Sequence, residues 1–121
     1  MADYLPKFKP GQAVTFTASA DVTGGRLVDV TGNRTVGPAG ADSAAVVGVA
    51  GFDAKSGERV TVFTRAGGVH RLVANGAIAA GIKVSSAAAG KIQTIGDTAN
   101  PVGLALEAAA ADNDVIDVLF I

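Results

Sequence analysis

The chain has no cysteine, no tryptophan, one tyrosine, one methionine and one histidine in 121 residues. Without thiols there is neither a disulfide framework nor a thiolate metal centre, so stability must come from apolar burial or from a neighbouring molecule. Charge is scarce as well. Asp, Glu, Lys and Arg make up 17% of the chain and nearly cancel, leaving a formal net charge of −1. The densest basic spot is the pair Lys7 and Lys9, which is no electrostatic footprint for nucleic acid, so no direct nucleic-acid partner is expected. The N-terminus lacks the continuous apolar segment of a signal peptide, and no later run approaches the roughly 18 apolar residues of a membrane-spanning helix. The expectation is a protein made in the cytoplasm, with no membrane partner.

What is abundant is Ala, Val, Gly and Thr, punctuated by turn residues, and the pattern predicts an all-β chain. Residues 1–11 hold Pro6 and Pro10, alternating charge, and the bulky apolar Tyr4, Leu5 and Phe8. That composition resists helix and predicts an extended arm. Leu5 and Phe8 either pack back onto the chain's own body or dock on a partner. Residues 12–121 are expected to form a single β domain, for the length suits one core.

Alternation of apolar and polar residues predicts strands around Val14 and Phe16, over 27–31, 34–36 and 44–50, and most clearly over 58–64. Further strands are expected over 69–73, 82–85, 91–95, 102–108 and 115–121. Gly32-Asn33, 53–57 and Gly67-Gly68 supply turns, and 74–81 reads as a turn-rich link. In 58–64, Val60 and Val62 share one face and Phe63 the other, so Phe63 is expected to be covered by something else or to sit at an interface.

Two stretches match at an offset of roughly 55 residues. Gly24-Gly25-Arg26-Leu27-Val28 corresponds to Ala80-Gly81-Ile82-Lys83-Val84, and Val47-Gly48-Val49-Ala50 to Val102-Gly103-Leu104-Ala105. Glu58-Arg59-Val60-Thr61-Val62 corresponds to Asp114-Val115-Ile116-Asp117-Val118. The pattern predicts an internal duplication of two β-units that close against one another as a compact β-barrel or β-sandwich.

Residues able to do chemistry are few. His70 lies inside a strand, and without cysteine a metal site there would need converging carboxylates. Ser19, Ser43, Ser56, Ser85 and Ser86 read as turn formers with no base partner. Glu58 and Glu107 sit at strand ends where a solvated carboxylate is expected. Gly24-Gly25 and Gly67-Gly68 lack the context of a phosphate loop. No catalytic, cofactor-binding or metal-binding residue is assigned. An enzyme would need at minimum a pocket joining two of Glu58, Glu107, Asp112 and Asp114.

The arm, the strand from Gly11-Gln12-Ala13-Val14-Thr15-Phe16, the recurring Val-Gly-Val-Ala and Val-Gly-Leu-Ala segments and the total length together resemble the capsid decoration, or cement, proteins of tailed bacteriophages. The likeness gives no match around His70 and Arg71. It implies a β-domain without cofactor or catalysis, acting in the virion on the outer face of the expanded head. There it would bridge subunits of the major capsid protein, commonly as a homotrimer, with Tyr4, Leu5 and Phe8 as the capsid contacts. Two other readings fit the composition: a tail or other virion accessory domain, and a small ligand-binding β-module. The second sits poorly with a chain that has no tryptophan and one tyrosine, since such modules present aromatic platforms.

Overall fold

The computed structural model describes residues 4–9, 11–65, 68–97 and 100–121. Part of the expected arm, residues 1–3 and Pro10, and Gly67 of the Gly67-Gly68 turn lie outside the described residues. Ten strands follow one another: β1 (Ala13–Ala18), β2 (Leu27–Gly32), β3 (Thr35–Pro38), β4 (Val46–Ala50), β5 (Arg59–Thr64), β6 (Val69–Val73), β7 (Lys83–Ser86), β8 (Ile92–Thr94), β9 (Pro101–Ala105) and β10 (Val115–Phe120). One 3-10 turn, Ala88–Gly90, separates β7 from β8.

The first five strands form a closed barrel in the order β1-β3-β2-β4-β5, with β1 pairing antiparallel with β5 and parallel with β3. The last five form a sheet in the order β6-β10-β9-β7-β8, whose outer strands approach at a parallel bridge between Ala74 and Ile92. These two orders are the same topology written twice. The pairings of β1 with β5, β2 with β3, β2 with β4 and β4 with β5 recur as β6 with β10, β7 with β8, β7 with β9 and β9 with β10. Even the isolated bridge Val22–Ala54 has its counterpart in Ile78–Ala109.

The duplication expected from the sequence is therefore present, in a more specific form than two units sharing one barrel or facing each other as a sandwich. Each unit curls around its own interior. Phe16, Ala18, Val28, Val36, Val60 and Val62 are buried within the first, and Leu72, Ala74, Val84, Ile92, Ile116 and Val118 occupy the equivalent places in the second. The many Val and Ala side chains are what a narrow five-stranded interior can hold, since interior volume falls with strand number.

The repeated Val-Gly segment now has a physical reason. A Cβ on Gly48 would collide with the Phe63 carbonyl, and one on Gly103 would lie 2.6 Å from Val118 Cγ1 and 2.7 Å from the Leu119 carbonyl oxygen. Glycine is what allows β4 to approach β5, and β9 to approach β10, at this point. The strand expected over 102–108 is shorter: β9 ends at Ala105, and the Asp114 carboxylate accepts the Ala110 and Ala111 N–H groups at 2.9 and 3.1 Å, turning the chain instead.

The units meet through the outside of the first barrel. Leu27, Ala39, Val46 and Val49 belong to one buried cluster with Val102 and Phe120 of the second unit. Ser86 pins the contact: its Oγ donates to the Gly40 carbonyl at 2.7 Å and accepts the Ser43 N–H at 2.9 Å. Arg65 donates to the carbonyls of Pro101 and Ile121, each at 3.1 Å. The 3-10 turn presses against β2, where Gly90 takes φ +73° and donates to the Ala39 carbonyl at 3.0 Å. A Cβ at Gly90 would stand 2.6 Å from the Leu27 carbonyl oxygen. Gly90→Ala is therefore expected to destabilise the protein by about 1–3 kcal/mol, combining a left-handed backbone with overpacking. Gly40→Ala, where nothing lies within 4 Å, is expected to be near neutral. Urea unfolding midpoints of the two variants check this contrast.

Candidate functional site

The arm enters β1 through a tight turn in which the Lys9 N–H donates to Gln12 Oε1 at 2.7 Å and the Gln12 N–H donates to the Lys9 carbonyl at 3.1 Å. Before that turn, Tyr4 and Leu5 are 78% and 83% exposed, whereas Phe8 is 39% exposed. Phe8 is tethered by Arg34, whose guanidinium carbon lies 5.2 Å from the Phe8 ring centroid and 5.4 Å from that of Phe16. Arg34 also donates to the Thr15 carbonyl at 2.7 Å. Of the two sequence readings, packing back applies to Phe8 in part and not to Leu5. Arg34 itself escaped notice in the sequence, because it sits at φ 51°, a conformation that an arginine does not advertise.

The residues singled out for possible chemistry are not brought together. Glu58 Oε1 accepts the Lys55 N–H at 2.7 Å in the first unit, and Glu107 Oε1 accepts the Asp117 N–H at 2.8 Å in the second. Asp112 accepts the Gly76 N–H at 3.3 Å and lies 3.7 Å from Lys91 Nζ, while Asp114 closes the turn before β10. Among the serines, Ser19, Ser43 and Ser56 stabilise turns as expected. Ser85 and Ser86 depart from that expectation: both are buried strand residues of β7, and Ser86 is the polar pin between the units. A strand position with a glycine-rich loop of the other unit laid over it was invisible to local pattern.

A hollow of about 370 Å³ opens on the first unit, lined by Asp21, Val22, Thr23, Asp53, Ala54, Lys55 and Glu58. Its carboxylates are engaged in loop geometry: Asp21 accepts the Ser56 N–H at 2.9 Å, Asp53 the Gly24 N–H at 2.8 Å, and Glu58 the Lys55 N–H. Gly24 belongs to this loop contact, not to a phosphate loop. Among the described residues no three of His, Asp and Glu gather as metal ligands.

His70 stands where the two units meet, its ring centroid 4.9 Å from that of Phe120 and 6.3 Å from that of Phe63. Phe63, expected to be covered or to sit at an interface, lies beside His70 of the second unit and keeps 46% of its surface exposed. Burial against these rings lowers the His70 pKa from its ordinary value of 6.5. Below that value the unfolded chain binds the proton more readily than the folded one, so stability is complete above it and declines as pH falls. Thermal melts between about pH 7.5 and 5 are expected to show this decline, and His70→Phe, which keeps a ring and cannot titrate, is expected to lessen it; an unchanged pH slope in the variant would refute the assignment.

The site is thus an exposed apolar arm on a duplicated β fold whose polar groups close turns. The phage cement protein model matches residues 8–120, and the chain belongs to that family, a non-enzymatic structural family of the phage head. No curated protein matches the sequence. Among solved structures, the head fiber gp8.5 N base of bacteriophage phi29 is similar, with a TM-score of 0.72, 18% identity, and coverage of 91% of this chain and 93% of that one. At this identity the likeness is one of fold.

Proposed function

We propose that this cement protein binds the outer surface of the expanded phage head and ties neighbouring major capsid subunits together, with residues 12–121 acting as a single rigid domain. The observation that carries the reading is the arm, which holds Tyr4 and Leu5 in solvent at 78% and 83% exposure in front of a well-packed β body. Large apolar side chains so displayed fit pockets on a partner, and the extended backbone around them suits addition to a partner's sheet edge. Phe8, with Arg34 over its ring, sets the point at which the arm leaves the body. The fold shared with a head fibre base supports a place on the outside of the head. A protein that binds only the expanded lattice stabilises it by linkage, and repetition over many sites multiplies a modest contact.

The working form on the shell is a homotrimer. The lightly charged surface, at 17% Asp, Glu, Lys and Arg, allows close packing between copies at small desolvation cost. Light scattering at several concentrations tests whether trimers form before binding; a monomer throughout restricts assembly to the shell.

Deletion of residues 2–9 is expected to lower copy number on mature heads by at least about tenfold, the loss of one or two buried apolar anchors. Undiminished occupancy would overturn the arm's role. Failure of the intact protein to bind heads, with binding to tails instead, would replace the reading by that of a tail accessory part.

A further inference from the structure

One backbone conformation common to both units is filled by very different residues. Val36 of β3 and Ile92 of β8 are equivalent: the Val36 carbonyl accepts the Ser19 N–H at 2.8 Å and the Ile92 carbonyl accepts the Asn75 N–H at 2.7 Å. Two residues before each, the chain passes through the left-handed region, at φ 51° for Arg34 and φ 73° for Gly90. Glycine is favoured in that conformation and asparagine tolerates it, whereas a long side chain on a Cβ makes it costly. At Gly90 the joint adds a second demand for glycine, since a Cβ would meet the Leu27 carbonyl. Position 34 is exposed and outside the joint, yet an arginine stands there in a conformation that disfavours it. Strain kept at an exposed turn points to work done by the side chain.

That side chain reaches from the body to the arm. Arg34 Nη2 donates to the Thr15 carbonyl at 2.7 Å, and the guanidinium carbon stands 5.4 Å from the Phe16 ring centroid and 5.2 Å from that of Phe8. Phe16 is 7% exposed and belongs to the barrel interior. The guanidinium is therefore anchored to the body by Thr15 and Phe16, and Phe8 is anchored to the guanidinium. The second unit has no such arrangement: by repeat position Thr64 stands for Phe8, Leu72 for Phe16 and Gly90 for Arg34. Its first strand, β6, is entered from β5 and not from an arm. The arginine and its outer ring occur together, in the unit that has an arm to hold.

We infer, resting on the cement function proposed above, that Arg34 is the positioning residue of the arm: it latches Phe8 at the arm's root, so that Tyr4 and Leu5 are presented to the capsid from a fixed point. Arg34 acts through Phe8 and not by touching the capsid. Holding the root removes part of the ordering cost that a loose arm bears on binding, and raises the fraction of copies ready to bind. A cation over one ring at an exposed site is a weak contact, so the latch accounts for about a two- to fivefold factor per copy. Repetition over the head amplifies it.

Lys7 adjoins the latch and Lys9 precedes Pro10, so within the arm trypsin cuts only after Lys7. Asparagine suits the left-handed turn and is too short to reach Phe8. In Arg34→Asn, cleavage of the free protein after Lys7 is expected to be about two- to fivefold faster, and half-saturation of mature heads to need about two- to fivefold more protein. Arg34→Lys, which keeps the charge, is expected to fall between. Phe8→Leu removes the ring and weakens head binding by itself; adding Arg34→Asn to it is expected to change neither cleavage nor binding further, whereas independent roles would add. The proposal is overturned if Arg34→Asn leaves the cleavage rate unchanged, if cleavage quickens while head binding is unaffected, or if Arg34→Asn weakens binding as much beside Phe8→Leu as it does alone. Failure of the unaltered protein to bind heads refutes the cement reading, and the cleavage comparison then decides the latch by itself.

Discussion

The burial of Leu27 and Val49 under Val102 and Phe120 is the contact on which the rest of the molecule depends. Either unit can line its own interior, but a five-stranded barrel of this size is a small core by itself. Joining the outside of the barrel to the end of the second sheet gives a single larger buried cluster. It also fixes direction. The arm projects from the end of the first unit that the joint does not use.

The polar groups serve that architecture. Asp21, Asp53, Glu58 and Asp114 accept backbone N–H groups in loops, and Arg65 and Ser86 bridge the units. Buried or bent backbone needs such partners, since an unmade hydrogen bond there is costly. With the carboxylates so committed and His70 held between aromatic rings, the surface offers contact area more than chemistry. That suits a family whose work is to hold other subunits in place.

Much of the β character was legible because strand periodicity is a local property: Val60 and Val62 inward with Phe63 outward follows from a two-residue repeat. The duplication was legible for the same reason, since each unit solves the same packing problem with the same glycine at Gly48 and Gly103. Less was legible wherever a residue's role depends on something distant in the chain. Ser86 looked like a turn serine until the loop of the first unit was found above it, and Arg34 looked like the first residue of a short strand until its guanidinium was found over Phe8 and Phe16.

Composition and alternation by themselves determined an all-β chain of low charge, with an apolar arm and two similar halves. They did so because those features depend on side-chain type and short-range spacing. Only the tertiary structure decided that the first half closes as a barrel while the second curls as a five-stranded sheet bridged at Ala74 and Ile92, that the halves join face to end, and that Phe8 is tethered while Tyr4 and Leu5 stay free. Those outcomes turn on close approaches between segments far apart in the chain, such as Gly90 against Leu27, where a single Cβ settles whether two surfaces can meet.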